Sequence, residues 1–117
     1  MPAVATFSTW MTKANPGFTP DLFSVYGWEA AALFVQGLKN AGPNPTKASV
    51  LAALKGIHTF DADGLSAPFD PGNNSPSTCW LETTIDNGTW KRVNPPVKGF
   101  ACSPDGTPTT AGPDPGA

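Results

Sequence analysis

Apolar residues recur at helical spacing through the first half of the chain, and the period shortens in the second half. Val4, Phe7, Trp10, Met11 and Ala14 share one face of a 3.6-residue period, predicting a helix over about 3–14. Pro2 suits its first turn, and Asn15-Pro16-Gly17 stops it. Thr19-Pro20-Asp21 then reads as a helix start: Thr19 caps, Pro20 takes the first helical position and Asp21 sits at the positive dipole end. The helix that follows is expected over about 20–41. Leu22, Tyr26, Ala30, Leu33, Phe34, Leu38 and Ala41 form one stripe, widened by Trp28, Ala31, Ala32 and Val35. So broad an apolar surface belongs to a helix sandwiched between layers. Gly42-Pro43 ends it. A third helix, about 46–57, is capped by Thr46 and aligns Val50, Leu51, Leu54 and Ile57 on one face.

Beyond Gly64 a short extended run is predicted at 65–69, then a loop rich in Pro, Gly, Asn and Ser at 70–78. The clearest local signal is a hairpin over about 79–93, with 79–86 as its first strand, Asn87-Gly88 as a type I′ turn and 89–93 as the return. In that register Ile85 faces Trp90, Thr84 faces Lys91 and Thr83 faces Arg92. Residues 103–117 hold only Ser, Pro, Asp, Gly, Thr and Ala, and are expected as a disordered tail.

Composition narrows the function classes. Seven basic against nine acidic residues give a net charge of −2, so a basic footprint for nucleic acid or anionic lipid is absent. No apolar run approaches the roughly 20 residues of a membrane span. Fourteen prolines and twelve glycines are balanced by four tryptophans and 39% hydrophobic residues, against general disorder. Cys79 and Cys102, with one histidine elsewhere, are too few for a structural zinc site. They favour a single disulfide in an oxidising compartment, the alternative being two free buried thiols in a cytosolic chain. Yet Met1-Pro2-Ala3 opens no signal peptide, which conflicts with an exported cysteine pair.

Candidate chemistry is sparse. His58 is the sole imidazole, no nucleophile-elbow motif occurs, and a helix-end contact is its ordinary use. The carboxylates Glu29, Asp61, Asp63, Asp70, Glu82 and Asp86 show no spacing that selects an acid–base pair, so no catalysis is expected. Thr59-Phe60-Asp61-Ala62-Asp63-Gly64, with Asp70 six residues on, overlaps a calcium loop imperfectly, and an Asx-rich turn explains it better. Asn73-Asn74-Ser75 and Asn87-Gly88-Thr89 match glycosylation sequons, the second better explained by the turn. Trp80 and Trp90 on the hairpin suggest either cross-strand packing or a stacking platform for carbohydrate.

The order of elements from about Pro16 to Cys102 resembles the C-terminal part of a type I periplasmic binding protein of the branched-chain-amino-acid class, in an actinobacterial-like form. The resemblance is carried by Tyr26-Gly27-Trp28-Glu29-Ala30-Ala31, Gly37-Leu38-Lys39-Asn40-Ala41-Gly42 and the run TKASVLAALK from Thr46 to Lys55. It continues through Phe60, Gly64, Phe69 and Asp70, then Asn87-Gly88-Thr89-Trp90, and ends on Gly99-Phe100-Ala101-Cys102. It implies an α/β Venus-flytrap parent whose two lobes close on a small amino-acid-like ligand. It also implies a periplasmic or lipid-anchored protein that serves an ABC permease, without enzymatic activity or cofactor. Residues 1–102 would then be a partial lobe, an α+β piece of about three helices followed by an antiparallel hairpin. The expected missing part carries the signal peptide, the first lobe and most ligand contacts, which removes the compartment conflict. Tyr26 matches the aromatic that opens the penultimate long helix, and is the one cleft-lining residue the resemblance transfers. Two other readings stand beside this one: a secreted carbohydrate-binding module using Trp80 and Trp90, and a ligand-sensing domain of a regulator with the same fold.

Overall fold

The computed structural model describes residues 2–104, so Met1 and most of the expected 103–117 tail lie outside the described residues. Three helices come first: α1 (Pro2–Ala14), α2 (Leu22–Ala41) and α3 (Lys47–Lys55). Four strands follow, β1 (Cys79–Trp80), β2 (Glu82–Asp86), β3 (Thr89–Asn94) and β4 (Ala101–Cys102). The described residues divide into two units, one up to residue 76 and the other from residue 77.

In the first unit, helix ends are set by side chains that meet the unpaired backbone groups of the first turn. The Asp21 carboxylate accepts from the Ser24 N–H at 2.9 Å, and the Ser24 hydroxyl accepts from the Asp21 N–H at 2.7 Å. This reciprocal box makes Asp21 the cap of α2 in place of Thr19, and leaves Pro20 outside the helix. Thr46 and Ser49 repeat the device at α3. Gly42 ends α2 and donates its N–H to Lys39 O at 3.3 Å.

Helices α2 and α3 share a small core with the loop that follows them. Ile57, Phe60 and Ala62 are buried, with Ala32, Leu33, Leu54, Leu65 and Phe69 packed around them. The rings of Phe60 and Phe69 meet edge to face at 5.6 Å, where their backbones form an isolated antiparallel bridge. Gly37 of α2 lies against Leu54 of α3, and a Cβ there would stand 2.7 Å from a Leu54 methyl. Close approach of α2 and α3 therefore depends on a residue without a side chain. Phe7 is buried on α1, its ring edge to face with Trp28 at 5.7 Å.

Two expectations need correction here. The run at 65–69 is not a strand: a turn over 61–66, in which the Asp61 carbonyl accepts from the Gly64 and Ser66 N–H groups, takes its first residues, and only Phe69 is bridged. The single strand at 79–86 is two, broken at Leu81, and β1 pairs with β4 while β2 pairs with β3. A register shift between Glu82 and Thr83 accompanies the break.

In the second unit, β2 and β3 pair Thr83 with Arg92, Thr84 with Lys91 and Ile85 with Trp90. Asn87 and Gly88, at φ 49° and 74°, make the turn, a conformation that ordinary side chains resist. The Lys91 ammonium pairs with the Asp86 carboxylate. The second ladder sets Cys79 opposite Cys102 and Trp80 opposite Ala101, and a disulfide joins the two cysteines.

Candidate functional site

Tyr26 lies in the second turn of α2, whose start is fixed by the Asp21–Ser24 box. Hydrogen bonds from the Ser24 backbone and hydroxyl hold the Asp21 carboxyl below its ordinary pKa. The cap is therefore a charged one near neutral pH, and it favours the positive helix end. The Tyr26 side chain is 54% exposed, and its hydroxyl bonds no other described residue. Leu22 and Phe23, four and three residues earlier, share its helix face and are 59% and 77% exposed. The result is an exposed aliphatic and aromatic surface with one polar tip.

A groove of about 590 Å³ opens farther along the same helix. Gln36, Lys39 and Asn40 form one wall, and residues 59–63 form the other. The second wall is shaped by three successive left-handed residues, Ala62, Asp63 and Gly64, at φ 51°, 60° and 83°. Sequence reading missed this groove, although polar residues at 36, 39 and 40 keep the i, i+3, i+4 spacing of a single helix face. Among the described residues no group of three or more His, Cys, Asp or Glu is placed to hold a metal ion.

His58 lies beyond the end of α3, bound into a polar cluster. Its Nδ1 is 3.0 Å from Asp70 Oδ1, while Asn73 donates its backbone N–H to the same oxygen and its side-chain amide to Oδ2 at 2.8 Å. Partial burial raises the Asp70 pKa, but the Asn73 and His58 contacts outweigh it, and the carboxyl stays below its ordinary value. This cluster anchors the 70–75 turn: Gly72 donates to Ile57 O at 2.8 Å, and Asp70 and Ser75 bridge each other. Its described side-chain contacts join His58, Asp70 and Asn73 and fasten this loop to the end of α3.

Trp80 and Trp90 are on separate two-stranded sheets. Trp90 is 71% exposed opposite Ile85, whereas the Trp80 indole nitrogen is buried. Trp80 is half-buried, so the two indoles differ in exposure and belong to different ladders.

Residues 1–89 match the family model described as periplasmic binding protein. That stretch takes in all three helices, the Tyr26 surface, β1 and β2. The chain belongs to the periplasmic binding protein family. No match was found among curated proteins or among solved structures. Periplasmic binding proteins of this type I family are non-enzymatic, bind small solutes outside the cytoplasm and work with transporters. Three helices with small antiparallel sheets are consistent with a partial piece of that α/β fold. No helix among the described residues is long and apolar enough to cross a membrane.

Proposed function

We propose that this chain supplies part of a solute-binding protein of the branched-chain-amino-acid class, which captures an aliphatic amino acid or a related small solute and delivers it to an ABC permease. The observation that carries the reading is Tyr26, an exposed aromatic whose hydroxyl bonds none of the described residues, beside Leu22 and Phe23 on a periplasmic-binding-protein helix. In a two-lobed clamp such a surface forms one wall of the cleft: the apolar faces receive an aliphatic side chain, and the hydroxyl meets a polar end.

The opposite wall lies outside this piece. Phe34 and Val35 of α2 are half exposed or nearly so. The only sheets among the described residues are two antiparallel pairs, both in the second unit. A parallel sheet in the complete protein would cover that face, as α/β lobes require. The chain alone then presents half a cleft.

Calorimetric titration with leucine, isoleucine, valine and a panel of other small solutes tests the reading on two forms. One is this chain; the other is the chain extended through its upstream coding region. The extended form is expected to bind an aliphatic amino acid, and Tyr26→Ala to weaken it about tenfold. The chain alone is expected to show no micromolar binding. An extended form that binds nothing in the panel overturns the assignment, and micromolar binding by the monomeric short chain overturns the half-cleft.

A further inference from the structure

β1 and β4 are each two residues long, and a ladder of two residue pairs is far below the length that holds itself together in water. Besides the ladder, the disulfide and a hydrogen bond from Ser103 N–H to Thr78 O at 3.0 Å join these segments among the described residues. The neighbouring hairpin stands by different means, with five residue pairs, its own turn and the Asp86–Lys91 ion pair. Closure also carries an internal cost. Trp80 is held in β1 with its indole N–H buried and without a partner among the described residues, and an unpaired buried donor opposes the state that buries it. Opening the ladder would give that N–H to water. Cys102 is exposed and Cys79 half-buried, so a soluble thiol can reach the bond.

We propose that Cys79–Cys102 is a redox-operated clasp that opens β1–β4 alone and leaves the hairpin and the helices folded. A dithiol reductant opens it by exchange. Its thiolate attacks Sγ of Cys102 and the S–S bond breaks. Cys79 leaves with the electron pair and takes up a proton. The second thiol of the reductant resolves the mixed disulfide and frees Cys102 as a thiol, so two electrons and two protons pass to the protein and the reductant departs as a disulfide. The open state keeps the Arg92 guanidinium donating to Gly99 O at 2.7 Å, a tether that holds the segment after Gly99 near β1 for reclosure by an oxidant.

Hydrogen exchange read by nuclear magnetic resonance tests this on the whole chain, oxidised and then treated with dithiothreitol under native conditions. Reduction is expected to speed exchange about tenfold or more at residues 78–80 and 101–103. It is expected to make the Trp80 indole N–H exchange with solvent, and to leave 82–94 and the three helices unchanged. The peak is assigned with Trp80→Phe. The double variant Cys79→Ser, Cys102→Ser is expected to match the reduced protein, and oxidised glutathione to restore the original pattern. Retained protection in the reduced protein overturns the clasp, because the ladder then holds alone. Loss of protection throughout the chain overturns it as well, because the bond is then a global staple. A bond that dithiothreitol leaves intact under native conditions is the third overturning result.

Discussion

At the scale of single residues, the most constrained position is a glycine without left-handed backbone. A Cβ at Gly72 would stand 2.4 Å from Lys55 O and 2.8 Å from Ile57 O, both of them backbone atoms with little room to yield. Gly72→Ala is expected to destabilise the first unit by about 1–3 kcal/mol, measurable by urea titration. The carboxylates give a second expectation. Asp21 and Asp70 are held below their ordinary pKa in the folded chain. A depressed carboxyl contributes stability above its unfolded pKa, about 3.9, and that stability is lost as pH falls through the folded value. The melting temperature of the first unit, which holds both carboxylates, is therefore expected to be level with respect to these groups from pH 7 to about 5 and to drop below about pH 4. Asp70→Asn should flatten part of that drop. Residue chemistry of this kind was only partly legible beforehand. Asp70 and His58 are twelve residues apart, and nothing in their spacing announces a contact that depends on the 70–75 turn folding back.

At the scale of elements, short-range rules succeeded where the information was local. The Asn87-Gly88 turn fixes the hairpin register by itself, so Ile85–Trp90, Thr84–Lys91 and Thr83–Arg92 were readable from sequence. The three helices were also readable from their apolar period, and at α2 and α3 capping residues and glycine stops sit next to it. The α2 cap shifted from Thr19 to Asp21 because Ser24 completes a reciprocal box with Asp21. Strand division at Leu81 was not readable, since it follows from the competing pull of β4, twenty residues away, on β1. At α3, Thr46 makes the same kind of box with Ser49. Thr46→Ala is expected to cost about 1 kcal/mol and Thr46→Gly only a few tenths, by thermal or chemical melting. Helix α3 is short, so the loss should be concentrated in its exchange protection.

At the scale of the whole molecule, the buried apolar set is small for the chain's length. Phe7, Ile57, Phe60 and Ala62 are the buried hydrophobic residues among those described, while Phe23, Phe34, Leu51 and Trp90 are at least half exposed. The breadth of the apolar surface on α2 was legible in its spacing, and the resemblance to a partial lobe implied that some of it would stand exposed, as Phe34 and Val35 do. Contiguous exposed surface of this kind drives association. Sedimentation velocity is expected to show reversible self-association that grows with concentration, and a strict monomer at high concentration would count against an uncovered α2. The division into two units at Pro76 and Ser77 carries a thermodynamic consequence. One unit rests on helix packing around Phe60, the other on a turn, two short ladders and one covalent link. Nothing obliges supports so different to fail at one temperature, and a single-transition analysis assumes that they do. In scanning calorimetry the van't Hoff enthalpy is expected to fall below the calorimetric enthalpy. A melting temperature quoted for this chain would then be an average over two separate events.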